Sequence, residues 1–137
     1  MKSVRWFGLL LALAIAVPAV PFVAQEGFPL SGTWSGDYGT SAREEDRTQT
    51  TLIISWDGKA IQGLVDPGPD SANIKVARLD SSKWAVHMEY DLKDKSGKVV
   101  PFVMDGTLQN PGSRKNRSIV GRYSHGSAKG DFKITMD

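Results

Sequence analysis

The 137-residue sequence contains no cysteine, so no disulfide, thiolate nucleophile or cysteine-ligated metal centre can be built from it. Histidine occurs only twice, at His87 and His125, and no third ligand stands at a metal-binding spacing from either. Net charge is also scarce. Removing Lys2 and Arg5 with an N-terminal address segment leaves fifteen basic residues against fifteen acidic ones. A domain so balanced lacks the phosphate-neutralising surplus of a nucleic-acid binder. Long apolar runs are missing too, because Trp6–Val17 stops at Pro18 and falls short of the ~20 residues a spanning helix needs. Helical periodicity is absent from Leu30 onward.

What is present begins with a secretion pattern: Lys2 and Arg5, then the apolar run, the helix-breaking Pro18 and Pro21, and small-residue cleavage choices at Ala19 or Ala24. Residues 1–24 therefore read as a signal peptide and 25–137 as one domain. The expected location is secreted or periplasmic, with no membrane association after cleavage. Without cysteine, lipid anchoring is not expected either.

Eight segments alternate apolar and polar residues at period 2, so the domain reads as all-β. Expected strands cover Leu30–Tyr38, Thr50–Trp56, Lys59–Val65, Asn73–Leu79, Trp84–Leu92 and Val99–Leu108. Two more run through Ile119–Tyr123 and Gly130–Met136. In the fourth, Ile74 and Val76 are expected to face inward. The fifth has Trp84, Val86, Met88, Tyr90 and Leu92 inward, with His87 outward. Asp57-Gly58 predicts a two-residue hairpin turn, and Asp66-Pro67-Gly68-Pro69-Asp70 breaks the chain between strands. Short connections favour an up-and-down antiparallel meander. Closing it into a barrel hides the edges that an open sheet would expose. Glycines at 32, 36, 63, 106, 121 and 130 fall on the inward phase, where tightly coiled strands need small residues.

Gly32-Thr33-Trp34 resembles the first strand of the calycins, the lipocalins, fatty-acid-binding proteins and avidins that carry Gly-x-Trp there. The chain is also similar to short secreted lipocalin-like bacterial proteins, which repeat a glycine between large apolar residues. Ile61-Gln62-Gly63-Leu64, Met104-Asp105-Gly106-Thr107-Leu108, Ile119-Val120-Gly121-Arg122-Tyr123 and Gly130-Asp131-Phe132-Lys133-Ile134 carry that pattern. The resemblance implies an eight-stranded cup. It does not imply biotin, because Gly36 stands where avidins have the biotin-holding asparagine. Nor does it supply the late-strand arginine that lipocalins pack on the tryptophan, since Arg122 and Lys133 both fall on the outward phase.

Counting strand reversals puts Trp34, Trp56 and Trp84 at one end and Tyr38, Tyr90 and Tyr123 at the other. The tryptophan end reads as a packed plug. The tyrosine end, rimmed by the Gly39–Arg47 loop and the Ser124-His125-Gly126 turn, reads as the mouth. Tyr38, Tyr90, Tyr123, Phe102 and His125 are the expected ligand-binding residues, and an apolar or aromatic small molecule the expected ligand. An eight-stranded barrel is equally wide enough to fill with its own side chains. The alternative is therefore a filled barrel acting through its surface as an envelope interaction or inhibitor module, with the Gly39–Arg47 loop contacting a protein partner. No catalytic triad, acid/base pair or cofactor motif emerges, so no cofactor and no enzymatic activity are expected. Glu44-Glu45-Asp46 and the basic turn of Arg114, Lys115 and Arg117 read as solvated loops.

Overall fold

A computed structural model describes residues 27–137; the signal-peptide reading falls on residues outside that range. Among the described residues, eight antiparallel strands join neighbour to neighbour into a closed barrel. They are β1 (Gly32–Gly39), β2 (Arg47–Trp56), β3 (Ile61–Val65), β4 (Ala72–Asp80), β5 (Ala85–Lys93), β6 (Val99–Gln109), β7 (Ser118–His125) and β8 (Ala128–Met136). The up-and-down barrel expected from the alternation is the observed fold.

Period-2 patterning explains most of the core. Trp34, Leu52, Val65, Met88, Phe102 and Ile134 are each fully buried and come from six different strands. The inward glycines leave room for the large side chains. The Phe132 ring sits over Gly106, and the Ile74 side chain over Gly63. At the join of β1 with β8 the requirement is for backbone approach. A Cβ on Gly36 would strike the Lys133 carbonyl, and one on Gly130 would strike that of Gly39.

Four local expectations need correcting. The β2–β3 connection takes four residues, not two, because the Asp57 carboxylate accepts the Lys59 and Ala60 N–H groups at 2.8 Å each. That bracket delays β3 until Ile61. In β4 a bulge falls between Ile74 and Val76. One extra residue shifts the pleat, so Val76 lies opposite the outward Glu89, while Ala77 and Leu79 take the inward phase opposite Met88 and Val86. Trp84 precedes β5 instead of opening it. Its φ of 54° belongs to the left-handed region that ends a turn, and its ring is only half-buried. Leu30 belongs to a 3-10 turn, Phe28–Leu30, which carries it under the barrel as a fully buried stopper.

The tryptophan end is closed by that turn. Trp34 Nε1–H donates to the Leu30 carbonyl at 2.8 Å. Arg117, expected in a solvated basic turn, is instead 6% exposed. Its guanidinium donates to the Pro29 carbonyl at 3.0 Å and the Pro111 carbonyl at 2.6 Å. Burial and the neighbouring Arg114 lower its pKa, while its Nε has no partner among the described residues. This end therefore uses an arginine at the foot of β7, not Arg122 or Lys133, to hold the stopper against the first-strand tryptophan. Only Trp34 is fully buried there; Trp56 and Trp84 stand half-buried at the rim.

Candidate functional site

The five residues expected at the mouth do converge. Register explains it, since Phe102 on β6 lies directly opposite Tyr90 on β5 and His125 on β7. The Phe102 ring is stacked between Tyr90 and Tyr123, with centroids 5.0 Å away on both sides and interplanar angles of 9° and 4°. Tyr38 from β1 meets Phe102 and Tyr123 edge-on at 4.8 and 5.1 Å. His125 tilts against Phe102 at 5.2 Å and bonds the Leu92 carbonyl through Nε2 at 2.8 Å. Such aromatic pairs contribute roughly 0.5–1.5 kcal/mol each beyond their buried area.

These rings satisfy one another. Phe102 is 0% exposed and Tyr90 1%. Burial raises the Tyr90 and Tyr123 phenol pKa values, and burial together with the Asp66 carboxylate raises that of Tyr38. All three are neutral donors at ordinary pH. Tyr90 Oη–H reaches only the Met104 sulfur, at 3.7 Å, a weak acceptor. Outside the cluster, a cleft of about 440 Å³ lies over Tyr38, edged by Asp66, Asp70 and Asp91.

The Gly39–Arg47 loop is tied down. Ser41 Oγ–H donates to Asp46 at 2.7 Å across the Glu44–Asp46 3-10 turn. Arg47 bridges Asp37 on β1 at 2.7 Å and Asp131 on β8 at 2.6 Å, and also donates to the Ser41 carbonyl at 3.2 Å. The two carboxylates raise the Arg47 pKa. This arginine clamps the barrel closure from outside, and only its three-dimensional neighbours reveal that.

His87 faces outward, as its phase requires. Its Nδ1 lies 2.6 Å from Asp105 on β6 and its Nε2 2.6 Å from Glu89 two residues on. With a carboxylate at each nitrogen, the imidazolium has two acceptors, so Glu89 and then Asp105 raise its pKa. The carboxylates flank opposite edges of the ring and do not converge on a point. Among the described residues no histidine and carboxylate cluster is arranged to hold a metal ion.

The wall is least complete between β3 and β4. They pair at two positions only, Leu64 with Asn73 and Val65 with Ala72. From Ile74 to Asp80, β4 has ladder partners on β5 alone. The short β3 and the bulge together produce this, because β4 diverges as its pleat shifts. A cleft of about 1110 Å³ follows the diverging edge. The β2–β3 hairpin forms one bank, with Trp56, Lys59 and Ile61. The other runs from Val76, Arg78 and Asp80 on β4 to His87 and Asp105. A second cleft of about 560 Å³ flanks the same join between Ile53, Gln62 and Asn73. Sequence alternation could not show this opening, since each strand reads as complete by itself.

Comparison with protein-family models, with curated proteins and with solved structures finds no match. The likeness to calycins is thus one of architecture, carried by the closed eight-stranded antiparallel barrel.

Proposed function

We propose that this protein is a filled barrel that acts through its surface, as a protein-interaction module without catalysis. The supporting observation is the stack of Tyr90, Phe102 and Tyr123, which occupies the tyrosine end with 1–6% exposure of the two phenols and none of the phenylalanine. A barrel of eight strands is about as wide as its own side chains, and here three rings and Tyr38 take up that width. Exported small barrels must present their distinguishing chemistry outside when the inside is full. The broken β3–β4 join offers such a surface, and it replaces the pinned Gly39–Arg47 loop as the preferred contact.

A second reading, the apolar or aromatic small molecule held by Tyr38, Tyr90, Tyr123, Phe102 and His125, is favoured by one observation. The Tyr90 hydroxyl has only a sulfur acceptor, and a ligand oxygen arriving past the half-buried Tyr38 would improve on it. Native mass spectrometry of the protein purified from its own host separates the two. The filled barrel predicts the bare chain, alone or with a protein partner. A small-molecule excess mass that disappears on denaturation would contradict it.

A further inference from the structure

We propose that the free edge of β4 accepts an extended peptide as an added strand, and that this peptide carries carboxylates. The inference deepens the surface-interaction reading and rests on it. Strand addition needs unpaired backbone N–H and C=O groups along an accessible edge. From Ile74 to Asp80 the ladder of β4 runs to β5 alone. The cleft is lined by Trp56, Lys59 and Ile61 across the unpaired edge, and it continues over β4 onto β5, β6 and β7. At about 3.3 Å per residue, the segment from Val76 to Asp80 accommodates a strand of five or six residues.

An added strand would show its alternate side chains to two different surfaces. Toward the barrel lie the half-buried Ala77, Trp56 and Ile61, with Leu79 behind them. Toward solvent lie Val76 and Arg78. One row is apolar, and the other sets the apolar Val76 beside the Arg78 cation.

The charge follows from which ions are already engaged. Asp80 accepts the Ser82 N–H at 3.0 Å and the Ser82 hydroxyl at 2.6 Å. Asp105 is held by His87. Lys75 reaches Asp91 at 3.1 Å. Lys59 and Arg78, one on each bank, have no ion partner among the described residues. Asp80 has no ion partner there either, so the charges without one at the cleft are two cations, one on each bank, against a single carboxylate that already accepts two hydrogen bonds. Edge cations and a bulge also guard sheets against indiscriminate pairing. Here the bulge lies at Lys75 and leaves the edge beyond it regular, so the cations act as a filter on what may pair.

The test titrates the full chain with two capped synthetic heptapeptides, one alternating valine with glutamate and one alternating valine with lysine, followed by amide NMR. The glutamate peptide is expected to shift and protect amides of Val76–Asp80 and to bind about fivefold or more tighter than the lysine peptide, as two surface charge pairs allow. N-methylation of every second amide of that peptide should abolish binding, because the backbone supplies the contact. The double variant Lys59→Glu/Arg78→Glu should reverse the peptide order. If the variant does not fold, the two peptides on the natural chain decide. Equal binding, no binding, or shifts confined to the Gly39–Arg47 loop would overturn the proposal. So would full protection of the β4 edge before any peptide is added, since that edge would then already be paired. Those failures leave the filled barrel standing, whereas a small-molecule mass in the native spectrum removes the filled barrel independently of the peptides.

Discussion

Two joins in the wall of this barrel are built to opposite ends. Where β1 meets β8, six residue pairs run unbroken from Trp34–Met136 to Gly39–Asp131. Gly36 and Gly130 let the backbones approach, and Arg47 ties β1 to β8 from outside. Where β3 meets β4, two pairs suffice, a bulge turns β4 away, and a cleft opens. The first join makes the topology possible, because closure needs the last strand to find the first across the whole length of the chain. The second is a local contact between consecutive strands and can be loosened without losing the fold. A site that costs stability is best tolerated there.

A substitution at the tight join should be among the most costly. Gly36→Val places side-chain carbons against the Lys133 carbonyl. A loss of about 3 kcal/mol or more is expected in chemical denaturation, at the upper end for overpacking. The matching change at the loose join, Gln62→Val on the exposed face of β3, should stay within about 0.5 kcal/mol, as surface substitutions do.

Trp34→Ala should cost about 3–5 kcal/mol, since it empties a fully buried aromatic site and frees the Leu30 stopper. Trp84→Ala removes a half-buried ring from the open rim and should cost about 1–2 kcal/mol, in the common range of point substitutions. Equal losses in urea melts would show that the rim is packed as firmly as the floor.

His87, on the bank of the cleft, should give a small and pH-dependent effect. Its carboxylate neighbours raise its folded pKa, so the folded state holds a proton that the unfolded chain gives up. That contribution is full below the unfolded value near ~6.5 and fades as pH rises through the folded one. His87→Gln should therefore lower Tm at pH 5.5, by at most the equivalent of about 1 kcal/mol for an exposed pair, and leave Tm at pH 9 nearly unchanged. A loss that persists at pH 9 would assign His87 a packing role.

The sequence carried the strand count, the inward glycines and the meeting of Tyr38, Tyr90, Phe102, Tyr123 and His125, because period-2 alternation and strand reversal determine which face and which end a residue occupies. It could not carry the bulge at Lys75. A one-residue slip in pairing leaves the alternation of Ile74 and Val76 intact on paper while turning Val76 outward. The clamp at Arg47 and the anchor at Arg117 were hidden for a related reason. A guanidinium in a polar loop looks solvated until residues 84 positions away, at Asp131, or 88 away, at Pro29, arrive beside it. The β3–β4 opening is a property of two strands together, and neither announces it.

Native-state hydrogen exchange, amide by amide, tests the contrast between the joins most directly. The β1 and β8 amides from Trp34 to Gly39 and Asp131 to Met136 are expected to exchange only with global unfolding, while alternate amides of Val76–Asp80, facing the cleft, exchange far faster through local exposure. Uniform protection of β4 equal to that of β1 and β8 would contradict it, because the edge on which the proposed site depends would then already be paired.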